Sequence, residues 1–355
     1  MLVECESPSD NPSSIDKFVE LFSGMVSDIA RVRAYPGKNV RCEFQLPGSR
    51  KQGQILALGH SDTVWPLGTL KTMPFRQTRG RLWGPGVLDM KAGLVFFAFA
   101  MRILRELDVP VRRKILLQVN SDEEVGSPSS RLLTEEAARK SLAVLVLEPG
   151  TGLDGKLKTA RKGVGDYRIT VRGRAAHAGL DFDRGANAVV EMARQIERIA
   201  GFTRLKQGIT VSPGVIQGGT RSNVVPAECH VEVDVRAPSA TAQRYLERQF
   251  ASLKAFDKRC TVEVAGGLNR PPMERSAGSR RLFQTARKLG AELGVELEES
   301  ASGGGSDGNF TAVLGVPTLD GLGAVGEGAH ATHESILVNR IADRTALLAK
   351  LVAAL

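Results

Sequence analysis

Three apolar runs in the first half of the chain each end abruptly in acidic residues or histidine. Gln54–Leu58 precedes Gly59-His60-Ser61-Asp62, Lys114–Val119 precedes Asn120-Ser121-Asp122-Glu123-Glu124, and Ala143–Leu147 precedes Glu148. Runs of this length are typical of buried strands, and the helical pattern over Met90–Leu107 between them favours an α/β fold with a mostly parallel sheet. Ligand sites in such sheets lie beyond the carboxyl ends of the strands, so we expect these polar side chains to form one site.

The hydrophobic pattern changes near Gly163 and changes back after Pro271-Pro272. The segment between them predicts an α+β unit, with strands at Tyr167–Val171, Ile209–Ile216, Cys229–Val235 and Cys260–Val264 and helices at Ala186–Ile199 and Ala240–Leu253. Further helices are predicted over Ile15–Val32, Gly278–Leu293 and Asn339–Leu355. We therefore predict a catalytic domain (1–162 and 270–355) with a mixed, mostly parallel sheet flanked by helices. An inserted α+β domain (163–269) with an antiparallel sheet interrupts it.

The charge and cysteine content narrow the choice of partners. Lysine and arginine outnumber aspartate and glutamate by 48 to 39, a formal net charge of +9, but no run of five like charges occurs. This pattern argues against nucleic acid and fits an anionic small substrate. No apolar stretch approaches the roughly 18 residues of a membrane helix, so we expect no membrane partner. The four cysteines lack CxxC spacing, which predicts free thiols and a cytoplasmic location; a periplasmic or secreted location stays open if a leader was removed.

Each polar motif has both a catalytic and a simpler structural explanation. In His60-x-Asp62 the carboxylate could orient a metal-bound imidazole, or both side chains could be solvated. Asp89 could bridge two metal ions, or cap the helix that follows it. Glu123 and Glu124 could act as a base and a ligand, or form a solvated acidic turn.

Two later motifs are weaker when taken alone. Glu148 precedes Pro149, and this pair is common in loops. His330 lies four residues before Glu334 and offers a nitrogen ligand, although His333 competes with it and both could be exposed loop histidines. The conjunction of all these motifs, in this order and spacing, is far more specific than any one of them.

Nine segments in this order resemble a zinc metallopeptidase family. The family includes glutamate carboxypeptidase, acetylornithine deacetylase, succinyl-diaminopimelate desuccinylase, aminoacylase and di- and tripeptidases. The segments are GHSDTVWPLG (59–68), GPGVLDMKAG (84–93), SDEEVGS (121–127), LEPG (147–150), GRAAHAG (173–179), SNVVPAE (222–228), DVR (234–236), GGGSDGN (303–309) and GAHATHE (328–334). The resemblance covers nearly the whole chain, and it is closest to bacterial glutamate carboxypeptidase.

The resemblance implies a pair of zinc ions, exchangeable with cobalt or manganese. Asp89 would bridge the two ions. His60 and Glu148 would complete one zinc site, and Glu124 and His330 would complete the other.

The resemblance also assigns roles to residues around the ions. Glu123 would be the general base, and Asp62 would orient His60. The inserted domain would act as a lid and mediate a homodimer, in which His177 reaches the active site of the partner subunit and stabilises the oxyanion. Positions that contact the substrate, including its free carboxylate, are matched by Asn223, Arg236 and Gly304.

The sequence departs from the family pattern at three places. Met90 follows Asp89 where the carboxypeptidase has a second acid, and in the family the peptide bond between these positions is typically cis. Ser335 stands where an aromatic residue is usual, and Arg161-Lys162 is more basic than the matching segment. The last two departures bear on which substrate side chain is preferred.

Together these features predict a zinc-dependent metallo-carboxypeptidase or amidohydrolase. It would cleave an amide bond next to a free carboxylate, in the way that glutamate carboxypeptidase releases a C-terminal amino acid. An N-acyl-amino-acid deacylase or a dipeptidase on the same scaffold is the alternative, so the expected substrate is a peptide or an N-acyl amino acid. A metal-free binding protein that kept the fold is a remote alternative, and a nucleic-acid binder would rest on charge alone.

Overall fold

The protein, described here by a computed structural model, is defined over residues 1–49 and 51–355. It consists of two compact units. Unit 1 comprises Met1–Ala160, Glu274–Ser302 and Ser306–Leu355, and unit 2 comprises Arg161–Met273 and Gly303–Gly305. The sequence prediction placed the boundaries a few residues away and assigned the Gly303–Gly305 turn to the catalytic domain. Each unit has a hydrophobic core of its own.

The helices and strands follow in chain order. The helices are α1 (Pro12–Val26), α2 (Ala92–Glu106), α3 (Arg131–Arg139), α4 (Ala188–Ala200), α5 (Ala240–Ala251), α6 (Ala277–Glu292), α7 (Gly308–Val313) and α8 (Ile341–Ala354). The strands are β1 (Ala30–Tyr35), β2 (Asn39–Phe44), β3 (Gln54–His60), β4 (Arg76–Thr78), β5 (Arg81–Trp83), β6 (Lys114–Asn120), β7 (Ser141–Val146), β8 (Leu157–Arg161), β9 (Gly163–Arg172), β10 (Ala176–His177), β11 (Thr210–Gly218), β12 (Val224–Val225), β13 (Glu228–Ala237), β14 (Thr261–Arg270), β15 (Glu299–Ser302), β16 (Thr318–Leu319), β17 (Gly326–Glu327) and β18 (Ser335–Leu337). In the described part of the chain, every helix is too short or too polar to cross a lipid bilayer.

A six-stranded sheet in the order β1-β2-β6-β3-β7-β16 forms the centre of unit 1. β3 runs parallel to both β6 and β7, and β16 runs parallel to β7. β1 and β2 are antiparallel additions at one edge. The three central strands are buried on both faces over most of their length, which explains why they are continuous apolar runs in the sequence. The predicted mixed, mostly parallel sheet is confirmed.

The N-terminal prediction was wrong at its end. The helix predicted over Ile15–Val32 ends at Val26, and residues from Ala30 onward form β1. The helix begins at Pro12, three residues before the predicted start, and Asn11 caps it by accepting a hydrogen bond from the backbone N–H of Ser14. The hairpin of β1 and β2 was not predicted, since its alternating charged residues, such as Arg31 and Arg33, hide the apolar side of the strand.

Unit 2 is built on a four-stranded antiparallel sheet in the order β11-β13-β9-β14. β9 alternates between buried and more exposed residues, as expected of a sheet with one covered face. α4 and α5 contribute the other half of the core on the covered face, where the rings of Tyr167 and Phe250 stack at 3.7 Å. This is the predicted α+β architecture.

Candidate metal centre

Three neighbouring strands of unit 1 deliver polar side chains to one edge of the sheet. His60, the last residue of β3, pairs in register with Asn120, the last residue of β6. Glu123 and Glu124 follow β6, and Glu148 follows β7 by two residues. β3, β6 and β7 are adjacent and parallel, so their carboxyl ends meet. This placement brings together the residues that the strand endings indicated.

Asp89 lies at the centre of the cluster. Its Oδ1 atom is 3.1 Å from Nε2 of His60, and its Oδ2 atom is 3.4 Å from Nε2 of His330. The alternative role as a helix cap is excluded, because α2 begins at Ala92 and Lys91 occupies the N-cap position without any capping side chain. Each oxygen of this carboxylate therefore faces a different histidine.

A second carboxylate accompanies each histidine. Nε2 of His60 is 3.4 Å from Oε1 of Glu148, and Nε2 of His330 is 3.3 Å from Oε2 of Glu124. Two ligand atoms on a tetrahedral zinc, each about 2.0–2.1 Å from the ion, lie about 3.3–3.4 Å apart. The donor atoms thus form two groups with the spacing of a metal site, and they share Asp89.

The chemistry of the donors fits a cation. Asp89 and Glu124 both approach His60 closely enough for one ion to reach atoms of all three residues, which lie within 4.8 Å of one another. In the described part of the chain, Oε1 of Glu124 is buried without a hydrogen-bond partner. A buried carboxylate oxygen of this kind is costly unless a cation compensates it. Neutral imidazole and carboxylate are ligands that zinc accepts.

The pKa values of the cluster reflect an excess of negative charge. Burial lowers the pKa of His60, but hydrogen bonds with Asp62, Asp89 and Glu148 raise it well above its usual range. The carboxylates of Asp89 and Glu124 raise the pKa of His330 to about 10. The carboxylates that raise these two pKa values are the groups that would also stabilise a bound cation.

Asp62 contacts both His60 and the acidic turn after β6. Nδ1 of His60 lies 2.9 Å from the backbone carbonyl oxygen of Asp62 and 3.4 Å from its carboxylate. The same carboxylate accepts hydrogen bonds from the backbone N–H groups of Glu123 (3.2 Å) and Glu124 (3.1 Å). Asp62 therefore helps to hold His60 with Nε2 directed at Asp89, and it also fixes the turn that carries two glutamates. The sequence indicated only the first of these contacts.

Glu123 borders the same small cavity as two of the donor residues. It lines this cavity together with His60 and Glu148, and Met90 and Asp307 are also part of the lining. Its neighbour Glu124 directs Oε2 at His330, 3.3 Å from Nε2.

The loop between β17 and β18 brings His330, and not His333, to the cluster. His330 has a positive φ of 61° and a half-exposed side chain. His333 packs beside the backbone of Gly328. Of the two histidines that the sequence offered, this loop conformation places His330 beside Asp89 and Glu124, and its role as a ligand stays a prediction.

The remaining predicted site residues lie in unit 2. Nδ1 of His177 accepts hydrogen bonds from the backbone N–H groups of Gly179 and Leu180, both at 3.1 Å. His177 and Asn223 belong to neighbouring segments, because β10 pairs with β12 and the N–H of Ala178 donates to the carbonyl of Asn223 at 3.0 Å. The roles predicted for these residues stay predictions.

Two more of the predicted substrate contacts have partners within unit 2. Arg236 forms a fork with Asp234, from Nε to Oδ1 at 2.9 Å and from Nη2 to Oδ2 at 2.7 Å. The carbonyl of Gly304 accepts a hydrogen bond from Nη1 of Arg161 at 3.1 Å. The basic residue that departs from the family pattern therefore supports the glycine turn.

The other two departures are also placed by the structure. The Asp89–Met90 peptide bond is cis, and Sδ of Met90 lies 3.3 Å from the backbone nitrogen of His60. Ser335 is fully buried, and its hydroxyl accepts a hydrogen bond from Arg81 at 3.0 Å.

Sequence reasoning missed two buried carboxylates near the centre. Asp307 accepts hydrogen bonds from the side chains of Asn120 and Ser127, both at 2.5 Å. Glu334, noted in the sequence only as a marker four residues after His330, is fully buried. The available signal was their presence in the motifs GGGSDGN and GAHATHE, which contain no other acidic residue.

Comparisons with known proteins agree with this geometry. The sequence profile of peptidase family M20/M25/M40 matches residues 56–354. Carboxypeptidase G2 of Pseudomonas sp. (strain RS-16) is 30% identical over 307 residues, covering 84% of this chain and 73% of the relative. Succinyl-diaminopimelate desuccinylase of Cereibacter sphaeroides is 28% identical over 378 residues, covering 99% and 96%. A solved Bacillus subtilis protein, described as a dinuclear metal-binding peptidase of the M20 family, superimposes with a TM-score of 0.69 at 15% identity, covering 99% of this chain and 95% of that one.

Proposed function

Because the chain belongs to peptidase family M20/M25/M40 and is a metallopeptidase or amidohydrolase, we propose that it is a two-zinc hydrolase of amide bonds next to a free carboxylate. The observation that carries the proposal is the position of Asp89, whose two oxygens face two separate histidines at 3.1 and 3.4 Å. A carboxylate with this arrangement suits a pair of ions that act on one substrate.

We assign the ligands as two groups that share one carboxylate. His60, Asp89 and Glu148 hold one ion, and Asp89, Glu124 and His330 hold the other. The distances of 3.1 to 3.4 Å between donor atoms and the unpartnered oxygen of Glu124 support this assignment. The mixture of imidazole and carboxylate ligands suits zinc, and cobalt or manganese could replace it.

Glu123 is the proposed general base. Zinc, when bound, acts as a Lewis acid and lowers the pKa of a water ligand toward about 7. Glu123 lines a small cavity with His60 and Glu148, and in the proposal it takes a proton from the attacking water and returns it to the leaving amine. Asp62 holds the Glu123 backbone through a hydrogen bond of 3.2 Å, which keeps the base in position.

The inserted unit is proposed to complete the site across a homodimer. β11 is an edge strand that exposes Val215 and Ile216, and such a strand is suited to pairing with a second copy. His177 would stabilise the oxyanion in the partner subunit. Asn223, Gly304 and Arg236 would contact the substrate. The fork to Asp234 engages Nε and Nη2 of Arg236, so Nη1 is the nitrogen that we assign to the substrate carboxylate.

A release of C-terminal amino acids is the preferred reaction, because carboxypeptidase G2 is 30% identical to this chain. The desuccinylase, similar over 99% of this chain, favours N-acyl amino acids as the second candidate. The two candidate reactions are separated by a substrate panel. The panel contains peptides and folate-type compounds with C-terminal glutamate, N-succinyl amino acids, N-acetyl amino acids and dipeptides. Hydrolysis of acyl amino acids alone would select the second candidate.

Replacing Glu123 by alanine tests the mechanism. We expect Glu123→Ala to lower turnover by roughly 10²–10⁴-fold while two equivalents of zinc stay bound, because the base is lost and the ligands are kept. Turnover is measured on the best substrate of the panel, and zinc by elemental analysis of the purified protein. Glu136→Ala, which removes an exposed glutamate of α3, is the control and should behave as wild type. Wild-type turnover in Glu123→Ala would exclude this residue as the base.

A further inference from the structure

Both carboxylate oxygens of Glu334 accept hydrogen bonds from N–H groups in two other loops. Oε1 accepts hydrogen bonds from the backbone N–H groups of Leu88 (2.8 Å) and Asp89 (3.1 Å). Oε2 accepts hydrogen bonds from the backbone N–H of Gly86 (2.9 Å) and the indole N–H of Trp65 (2.8 Å). The side chain is fully buried, so water does not compete for these four contacts.

The contacts of Glu334 connect three segments that carry predicted metal ligands. Trp65 lies in the segment that leaves β3 after His60, and Asp89 is itself a donor to the carboxylate. Glu334 is also fixed within the loop of His330, since its backbone N–H donates to Ala331 at 2.9 Å. The carboxylate of Glu334 thus contacts residues that lie more than two hundred positions away in the sequence, such as Trp65.

The loop that carries Asp89 depends on this carboxylate for its shape. The loop lies between β5 and α2 and includes a short helical turn over Val87–Lys91. Three of its backbone N–H groups, those of Gly86, Leu88 and Asp89, donate to Glu334. The orientation of the Asp89 carboxylate follows from the backbone that these hydrogen bonds hold.

We propose that Glu334 is a positioning residue that fixes Asp89 between His60 and His330, so that metal affinity depends on its carboxylate. The inference rests on the proposed two-metal function and extends it to a residue that touches neither the ions nor the substrate. Partners of metal ligands commonly change metal affinity by about 10–100-fold when they are replaced.

Glutamine is the informative replacement for Glu334 because it keeps the size and removes one acceptor. An ionised carboxylate accepts through two oxygens, whereas a carboxamide offers one oxygen and an NH₂ donor. In either orientation the NH₂ group faces two N–H donors, either those of Leu88 and Asp89 or those of Gly86 and Trp65. The loop must then rearrange to relieve two unpaired buried donors.

Zinc titration of the full-length protein tests the proposal. Metal-free wild-type protein and Glu334→Gln are titrated with Zn²⁺ against a chromophoric chelator, and their folding is compared by far-UV circular dichroism. We expect Glu334→Gln to stay folded and to bind at least one zinc about 10–100-fold more weakly. Equal zinc affinity in the two folded proteins would overturn the proposal. Failure of the wild-type protein to bind zinc would instead overturn the proposed function.

Glu191 in unit 2 provides a matched control. It is also buried, and its carboxylate accepts backbone N–H groups from Phe256 (2.9 Å) and Asp257 (3.0 Å) and the amide of Gln195 (2.7 Å). We expect Glu191→Gln to lower the unfolding temperature and to leave zinc affinity unchanged. If Glu191→Gln lost as much zinc affinity as Glu334→Gln, the loss at Glu334 would be explained by general destabilisation of the protein. That result would contradict the proposal.

A second variant keeps the test decisive if Glu334→Gln does not fold. Trp65→Phe removes one of the four donors to Glu334 and leaves the three backbone hydrogen bonds in place. We expect a smaller loss of zinc affinity than for Glu334→Gln, in the same direction. Unchanged affinity in Trp65→Phe, together with an unfolded Glu334→Gln, would reject the positioning role.

Discussion

At the residue scale, His60 and His330 approach the same carboxylate from different surroundings. The His60 side chain is 1% exposed, and its Nδ1 is held by the backbone of Asp62. The His330 side chain is 50% exposed and lies on a loop. Asp89 connects the two environments. An ion held by His330 would therefore have the more exposed histidine ligand.

We expect chelation to remove the two zinc ions in separate phases. The ion at His330 should leave first, because its histidine ligand is half exposed and that of the other group is buried. Release into a colorimetric chelator, followed by stopped flow, measures both phases. In His330→Ala the fast phase should be missing and about one zinc should remain per chain. A single phase that releases two equivalents from wild-type protein would contradict this asymmetry.

The candidate ligands were predictable from the conjunction of several motifs and the family resemblance, but the contacts that orient them were not. His60, Asp89 and Glu148 follow or precede apolar elements in a recognisable spacing, and Nε2 of His60 does come within 3.4 Å of both carboxylates. The role of Glu334 depends on the backbone conformation of a loop 245 residues away. No spacing in the sequence records the direction of those N–H groups.

At the scale of secondary-structure elements, α2 and the end of β7 approach each other closely at one glycine. A Cβ atom built on Gly93 would lie 2.1 Å from the carbonyl oxygen of Leu147. Leu147 immediately precedes Glu148, and Gly93 follows Asp89 by four residues. Because Gly93 has no side chain, α2 can lie this close to the end of β7. The segments that approach here adjoin Asp89 and Glu148, two predicted ligands of the same ion.

Opposite effects are expected for alanine at two helical glycines. Gly93→Ala should lower the free energy of unfolding by about 1–3 kcal/mol, because a backbone carbonyl occupies the space of the new methyl group. At Gly24 in α1, a Cβ atom would have open space around it, with no neighbouring atom within 4 Å. Gly24→Ala should therefore raise the free energy of unfolding by about 0.5–1 kcal/mol. Urea unfolding measures both values. Stabilisation by Gly93→Ala would show that α2 can move away from β7 without cost.

The elements that the sequence predicted best are those buried on both faces. β3, β6 and β7 are apolar over most of their length, and it was predictable that they belong to a mostly parallel sheet. β1 lies at the edge with β2 beside it, and charged residues such as Arg31 and Glu43 pair across these two strands and hide the pattern. An edge strand forms because it pairs with a neighbouring strand. That pairing cannot be read from a single amino-acid sequence.

At the scale of the whole molecule, each unit has a hydrophobic core of its own, and the candidate metal centre belongs to one unit. All five proposed ligands lie in unit 1, although unit 2 separates His330 from the other four in sequence. Both tryptophans, Trp65 and Trp83, also lie in unit 1. Tryptophan fluorescence therefore reports on the unit that contains the proposed ligands.

We expect zinc to stabilise unit 1 selectively. At a free zinc concentration of about 100 times the dissociation constant, binding contributes about 2.7 kcal/mol to the folded state that binds it. Thermal unfolding followed by tryptophan fluorescence should shift upward with zinc. The part of the far-UV circular dichroism transition that comes from unit 2 should stay in place. A single transition that moves as a whole with zinc would show that the two cores unfold together.

The interruption of unit 1 also determines when its metal centre can be completed during synthesis. His60, Asp89, Glu124 and Glu148 leave the ribosome before unit 2, and His330 leaves after it. At about 5–20 residues per second, the roughly 270 residues between the first and the last of these take roughly 15–50 s to translate. Once Glu148 has been made, and until His330 follows it, the nascent chain holds one complete set of proposed ligands and one that lacks its histidine. We expect the two cations to be acquired at different stages in the life of the chain, the second only after the inserted unit has been made.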